Sequence, residues 1–337
     1  MNDSIKFTGP ADVLAFIPHT LGEAPKESFV VVTTQGNKVG ATLRVDAPFG
    51  QDPANFAQTV VSYLTADEAA TGTILVIYTD ENPGRGQRPY YGHVQALRTE
   101  LDTAGMPLQD AWLVTSELWR NYLCEDTSCC RDQPLDAITT SNGNAALIYR
   151  GSAVSGFTTP APFAGEPGAR EAIAAHKPDG WPEDLEASRA KWAKVLDDPK
   201  SLTTQTAHEL AGALQHPTVR DYMMGDIITH APDQFTSVML GVFLTRPDWA
   251  RVDAAQEVAF ELMKATPEGQ RAPMLCLIGW LEWLKGKSSF AARYFKLALD
   301  DVAEYRLAEL LAELVNRGLL ADCTRDPKKA YIRQLNR

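Results

Sequence analysis

The apolar positions of this chain follow two regimes that divide near residue 155. Before that point, short continuous or alternating apolar runs are interleaved with segments of helical period. Beyond about residue 182, every periodic segment repeats at three and four residues. Residues 10–22 read as a short helix, with Pro10 suited to its first turn, Gly22 to its stop, and Pro18 bending or shortening it. S-F-V-V-V-T-T and K-V-G-A-T-L-R-V-D flank a Gly/Asn turn and predict an antiparallel hairpin. In its second strand Leu43 and Val45 share one face, and Arg44 and Asp46 the other. Residues 53–66 have helical spacing, and T-I-L-V-I-Y-T (73–79) is the unbroken apolar run of a strand covered on both faces. The polar loop D-E-N-P-G-R-G-Q-R-P leads to a helix over 91–104 that stops at Gly105. Q-D-A-W-L-V-T is the next strand, S-E-L turns, and W-R-N-Y-L-C returns antiparallel. One more helix, weakened at S-N-G-N, spans 135–150.

Strand–helix–strand–helix–strand order implies right-handed crossovers between parallel strands. The expectation is a mixed sheet of about five strands. Those ending at Asp46, Thr79 and Thr115 run one way, and the first and last run the other. The domain organisation read from the chain is an α/β domain over 1–155, a Pro/Gly-rich connection over 156–181, and an all-α domain over 182–337. Helices are predicted at 182–197, 203–215, 218–230, 234–244, 248–265, 270–285, 288–300, 303–316 and 327–335. Within them, L-C-L-I-G-W-L-E-W-L-K-G-K-S-S-F-A-A-R-Y-F-K-L-A-L resembles a tetratricopeptide repeat. Gly279, Ala291, Phe295 and Ala298 occupy the small and aromatic positions that let two helices approach.

Composition narrows the function classes. The formal net charge is -11, with ten basic against eighteen acidic residues before Pro160 and 22 against 25 after it. That balance argues against a nucleic-acid surface. No apolar run approaches the ~18 residues of a membrane helix, and Met1–Pro10 lacks the basic and apolar regions of a signal peptide. Five cysteines in so long a chain suggest reduced thiols and a cytoplasmic location.

Two constellations could carry chemistry. Arg44, Asp46, Asp80, Thr115 and Ser116 should line the ends of the parallel strands, where open α/β sheets bind ligands. Gly84, Arg85, Gly86 and Arg88 add an anion-friendly loop before a helix, although no Walker loop or G-x-G-x-x-G is present. An ordinary polar connection with an Arg44–Asp46 ion pair explains the same residues. The second constellation is Cys124-x4-Cys129-Cys130, a metal or redox candidate. A structural zinc wants four ligands, and adjacent cysteines tend to diverge. Glu125, Asp126 and Asp132 should favour protonated thiols, so a packing role competes. No cofactor is predicted beyond that zinc alternative. His19 reads as a structural helix end, and Trp181, Trp192, Trp249, Trp280 and Trp283 as helix packing.

Three stretches together resemble the actinobacterial domain of unknown function 4192. They are A-D-V-L-A-F-I-P-H-T-L-G-E-A-P-K-E-S-F-V-V-V, V-G-A-T-L-R-V-D, and A-W-L-V-T through W-R-N-Y-L-C-E-D-T-S-C-C to P-L-D. Glu23 and Arg131 depart from that family's expected Phe and Pro. The resemblance implies a cytosolic protein and no reaction. The leading expectation is therefore a non-catalytic interaction or ligand-sensing protein, with a protein partner on the helical half and neither nucleic acid nor membrane. The alternatives are a small-molecule enzyme using the strand-end rim, and a metal- or thiol-redox-responsive protein using the cysteines.

Overall fold

The computed structural model describes residues 6–81, 88–124, 126, 129–150, 152, 154, 157–326 and 328–331. Arg85, with Gly84 and Gly86, and Glu125 lie outside these residues. The chain divides into two compact units, one reaching to Phe157 and the other beginning at Thr158.

In the first unit, α1 (Pro10–Leu21) begins on its proline and closes on Gly22, whose left-handed backbone (φ 85°) sends its N–H to the Pro18 carbonyl. The hairpin β1 (Ser28–Gln35) and β2 (Lys38–Asp46) forms as the alternation requires. Then follow α2 (Pro53–Leu64), β3 (Gly72–Tyr78), α3 (Tyr91–Thr103), β4 (Leu108–Val114) and β5 (Leu118–Asn121). A two-residue strand, β6 (Gln133–Pro134), adds a sixth member that its length hides from any periodicity argument. The order is β2-β1-β3-β4-β5-β6. Strands β3 and β4 are parallel, and β1 and β5 are antiparallel to their neighbours, so β2, β3 and β4 share one direction.

Period-two alternation sorts the strands' side chains into two cores. Phe29, Val31, Leu75, Ile77, Ala111 and Leu113 meet α2 and α3 on one face. Val30, Val32, Val76, Tyr78, Trp112 and Val114 meet α1 on the other. Residues 135–150 form two helices rather than one, α4 (Asp136–Thr139) and α5 (Asn142–Tyr149). Ser141 breaks them: its backbone is extended and its Oγ accepts the Asn144 N–H at 3.1 Å, a side-chain cap competing with helix continuation. Asp12 and His19 hold α1 to α5. Gly143 N–H donates to Asp12 Oδ1 at 2.7 Å, and the His19 ring nitrogens lie 2.9 Å from Asn144 Oδ1 and 3.0 Å from Ser152 Oγ.

The second unit is helical. Its Pro/Gly-rich start is tied down by Ala164 N–H to the Lys264 carbonyl (2.9 Å) and Tyr294 Oη to the Thr158 carbonyl (2.7 Å). It contains a helix the periodicity did not indicate, α6 (Ala169–Ala175). There follow α7 (Pro182–Asp197), α8 (Thr204–Ala213), α9 (Pro217–Gly225), α10 (Phe235–Met239), α11 (Trp249–Ala265), α12 (Ala272–Leu284), α13 (Ser288–Asp301) and α14 (Arg306–Asn316). The described residues 328–331 are not helical. All thirteen residues of α12 are buried, so it is the axis of this unit's core. Trp192, Trp249, Trp280 and Trp283 are buried, but Trp181 stands exposed just before α7.

Helices α12 and α13 pack as a hairpin through Gly279. A Cβ there would lie 2.5 Å from Cε1 of the buried Phe295 ring. Many helical bundles contain one such hairpin, so the tetratricopeptide reading stays an expectation from sequence. Gly279→Ala is expected to destabilise the second unit by about 1–3 kcal/mol, since neither helix can yield without repacking. Urea unfolding followed by tryptophan fluorescence would show it as a lower midpoint.

Candidate functional site

The ends of β2, β3 and β4 and the start of β1 form one polar edge. Ser28 pairs with both Asp46 and Tyr78, which levels these ends. Arg44 Nη2 lies 3.1 Å from Asp46 Oδ1, and its Nε donates to Ser28 Oγ at 3.0 Å. The centre of the edge is Glu27, which sequence reasoning passed over because it sits in the turn before a strand. Its backbone is left-handed (φ 40°). Its carboxylate accepts from Thr79 Oγ1 (2.7 Å) and Asp80 N–H (3.1 Å). Asp80 Oδ1 in turn accepts Ser116 N–H at 2.7 Å. Thr115 Oγ1 donates to the Leu118 carbonyl (3.1 Å) and accepts the Leu118 N–H (3.0 Å). These groups therefore hydrogen-bond one another and close the turns between strands. Arg88 is not among them: its Nη2 donates to the Leu123 carbonyl at 3.3 Å and its guanidinium lies over the Tyr122 ring.

Arg88 thus belongs with the cysteine segment. Asn121 is opposite Trp112 on β4, and Tyr122 N–H bonds the Ala111 carbonyl. The chain then runs toward the Leu108 start of β4, away from the Val114 end that carries the polar edge. Asn121 Oδ1 accepts the N–H groups of Leu123 (2.9 Å) and Cys124 (2.8 Å), while its Nδ2 donates to Asp110 Oδ1 (2.8 Å). Burial pushes the Asp110 carboxyl above its usual range. The Asp126 carbonyl accepts the N–H groups of both Cys129 (3.1 Å) and Cys130 (2.9 Å). This turn overcomes the divergence expected of adjacent cysteines. The three sulfurs all lie within 4.8 Å of one another, and those of Cys129 and Cys130 are 3.8 Å apart.

Cys130 follows the expectation of a protonated thiol, and Cys124 departs from it. The Cys130 thiol hydrogen-bonds the Cys124 sulfur, which, with the Asp126 backbone, holds the Cys124 thiol below its ordinary value despite the nearby Asp126 charge. The same hydrogen bond pushes Cys130 up to about 12. Asp132 lies 4.0 Å from Arg120. Cys276 and Cys323 are buried in the second unit, where burial pushes both thiols up to about 12.

The second unit carries a surface that sequence patterning concealed. The predicted helix over 234–244 ends at Met239, because Gly241 turns left-handed (φ 73°) and a Cβ there would meet Ala321 Cβ at 2.6 Å. The run L-G-V-F-L then becomes a turn, not a helical stripe. Cys323 N–H donates to the Gly241 carbonyl at 3.1 Å, joining this turn to the one that follows α14. Leu240 (54% exposed), Val242 (44%), Leu244 (77%) and Leu319 (52%) point into solvent from the two turns. Two buried indoles fix them: Trp280 Nε1 donates to the Met239 carbonyl (3.1 Å) and Trp283 Nε1 to the Leu319 carbonyl (2.8 Å).

Comparison with known proteins gives one family. The profile described as Domain of unknown function (DUF4192) matches residues 10–321, spanning both units. No curated protein and no solved structure matches this chain.

Proposed function

The chain belongs to the DUF4192 family, and from that premise we propose that it is a non-catalytic interaction protein whose helical unit docks a partner on the apolar surface of Leu240, Val242, Leu244 and Leu319. The observation that carries this reading is the exposure of four large apolar side chains on two adjoining turns. Single exposed leucines are ordinary, but contiguous apolar surface costs solvation free energy that a partner removes. Trp280 and Trp283 anchor the turns at Met239 and Leu319, which limits the conformational entropy lost on binding. The partner that fits presents an apolar face, such as one side of an amphipathic helix. The net charge of -11 disfavours a phosphate backbone. The reading sets the protein in the cytoplasm, a compartment supported by its five free thiols. No described helix is long and apolar enough to cross a membrane.

The test is Val242→Glu combined with Leu244→Glu. Both side chains are exposed, so stability should change by less than about 0.5 kcal/mol. A protein that co-purifies stoichiometrically with the wild type from native cells should be lost from the double variant. Equal recovery by both forms, or no stoichiometric partner for the wild type, would refute the reading.

A further inference from the structure

We propose that Cys124, Cys129 and Cys130 form a three-thiolate site for a soft divalent metal ion, zinc foremost. The inference is independent of the docking surface and concerns the other unit.

Distance is the first argument. Zinc–sulfur bonds of about 2.3 Å at tetrahedral angles separate two sulfurs by about 3.8 Å. Cys129 and Cys130 already stand 3.8 Å apart, and the whole trio fits within 4.8 Å, so an ion needs only small side-chain rotations.

The second argument is support. Metal ligands work when their backbones are held by neighbouring hydrogen bonds. Cys124 is held through Asn121, itself fixed by Asp110, and Cys129 and Cys130 are held through one carbonyl of Asp126. The Asp126 side chain adds a third bond, Oδ1 accepting Cys129 N–H at 3.3 Å. Six hydrogen bonds thus support the described residues around the three cysteines. Access is also right, since Cys129 is exposed and its two companions are partly so.

A disulfide explains the trio less well. Consecutive Cα atoms are about 3.8 Å apart, below the ~4.4 Å at which ordinary bridges begin. Cys129 and Cys130 are thus poorly placed to bridge each other, and any bridge from Cys124 strands a third sulfur. A metal ion uses all three. Thiolates select zinc and other soft ions over magnesium, calcium or manganese. Among the described residues no fourth His, Cys, Asp or Glu ligand atom joins the group.

The experiment uses the reduced full-length chain under anaerobic conditions. Cobalt(II) should saturate at about one equivalent per chain, with near-ultraviolet sulfur-to-metal charge transfer and visible bands of a tetrahedral site, and zinc should abolish both. Cys124→Ser, Cys129→Ser and Cys130→Ser should each weaken zinc binding by more than ~100-fold, and Asn121→Ala by ~10–100-fold as a supporting residue. Cys323→Ser, buried in the other unit, should bind as the wild type does. Circular dichroism would verify that the variants fold. Absence of stoichiometric uptake by the folded, reduced protein overturns the proposal, as does wild-type affinity in Cys130→Ser. So does a Cys124 disulfide in the isolated protein that, once reduced, takes up no metal.

Discussion

Asp12→Ala is expected to cost the first unit about 3 kcal/mol or more, from the loss of charge-assisted hydrogen bonds worth about 1.5–3 kcal/mol each. Asp12 is only 3% exposed. Its Oδ2 accepts Thr8 N–H (2.7 Å) and Thr8 Oγ1 (2.9 Å), and its Oδ1 accepts Gly143 N–H (2.7 Å). One carboxylate, in the first turn of α1, therefore satisfies an orphan donor at the start of α5 and ties down Thr8 just before α1, and the helix dipoles also favour negative charge there. Alanine leaves the Gly143 and Thr8 amides without their acceptors, whereas asparagine keeps one oxygen and should cost less. Hydrogen exchange of the β3 amides would register the loss, with α12 in the other unit as an internal control. Unchanged β3 protection in Asp12→Ala would show that α1 and α5 do not depend on this group.

The same residue predicts an acid dependence. Burial acts to raise the Asp12 carboxyl, but the backbone and side-chain hydrogen bonds of Thr8 and the Gly143 N–H outweigh it and hold it below the usual carboxylate range. A carboxyl depressed in the folded state binds its proton more readily when unfolded. Its stabilisation is therefore complete above about pH 5 and is lost as pH falls through about 4 and below. Asp67 behaves alike: against the opposing effect of burial, Thr33, Ala41 N–H and Gln35 hold it low across the β1–β2 hairpin. Asp12→Asn should flatten part of the acid limb of the stability curve and leave the Asp67 part.

Trp280→Ala should cost the second unit about 3–5 kcal/mol, the range for removing a buried aromatic from a packed core. Trp280 is fully buried on α12, so the cavity cannot collapse without moving the central helix. Its indole N–H also holds the Met239 carbonyl, the last residue before the apolar turn. The unit's melting temperature should fall by roughly 6–20 °C, and the amides from Leu240 to Leu244 should exchange faster. Trp280→Phe separates the two effects, restoring much of the volume but not the hydrogen bond. A change below about 1 kcal/mol in Trp280→Ala would contradict the packing described here.

Much of the architecture was legible in the chain because it rests on periodicity and on glycine and proline. The β1–β2 hairpin, β3, α2, α3 and the direction of each strand through β5 follow from alternation, helical spacing and the handedness of crossovers. Where a local side chain competes with the backbone, periodicity misleads. Ser141 splits a predicted helix by capping, and Gly241 truncates another because Ala321, eighty residues later, occupies the space a Cβ would need. Trp181 shows the limit of residue type as a guide to burial. It falls at a helix start and is exposed, unlike the four tryptophans inside helices or at a packed helix N-terminus.

The sequence by itself determined the α/β-then-helical order and the placing of a polar strand-end group and a cysteine cluster on separate segments, since both are properties of local pattern and residue type. Tertiary structure decided what surrounds each of them. It tied Thr79 and Asp80 to Glu27 and Ser116 by hydrogen bonds, and it set Arg88 against the segment leading to the cysteines. It also brought three sulfurs together through Asn121 and Asp126. Each of these depends on residues distant in the chain or on the curvature of a turn, which no periodic pattern encodes.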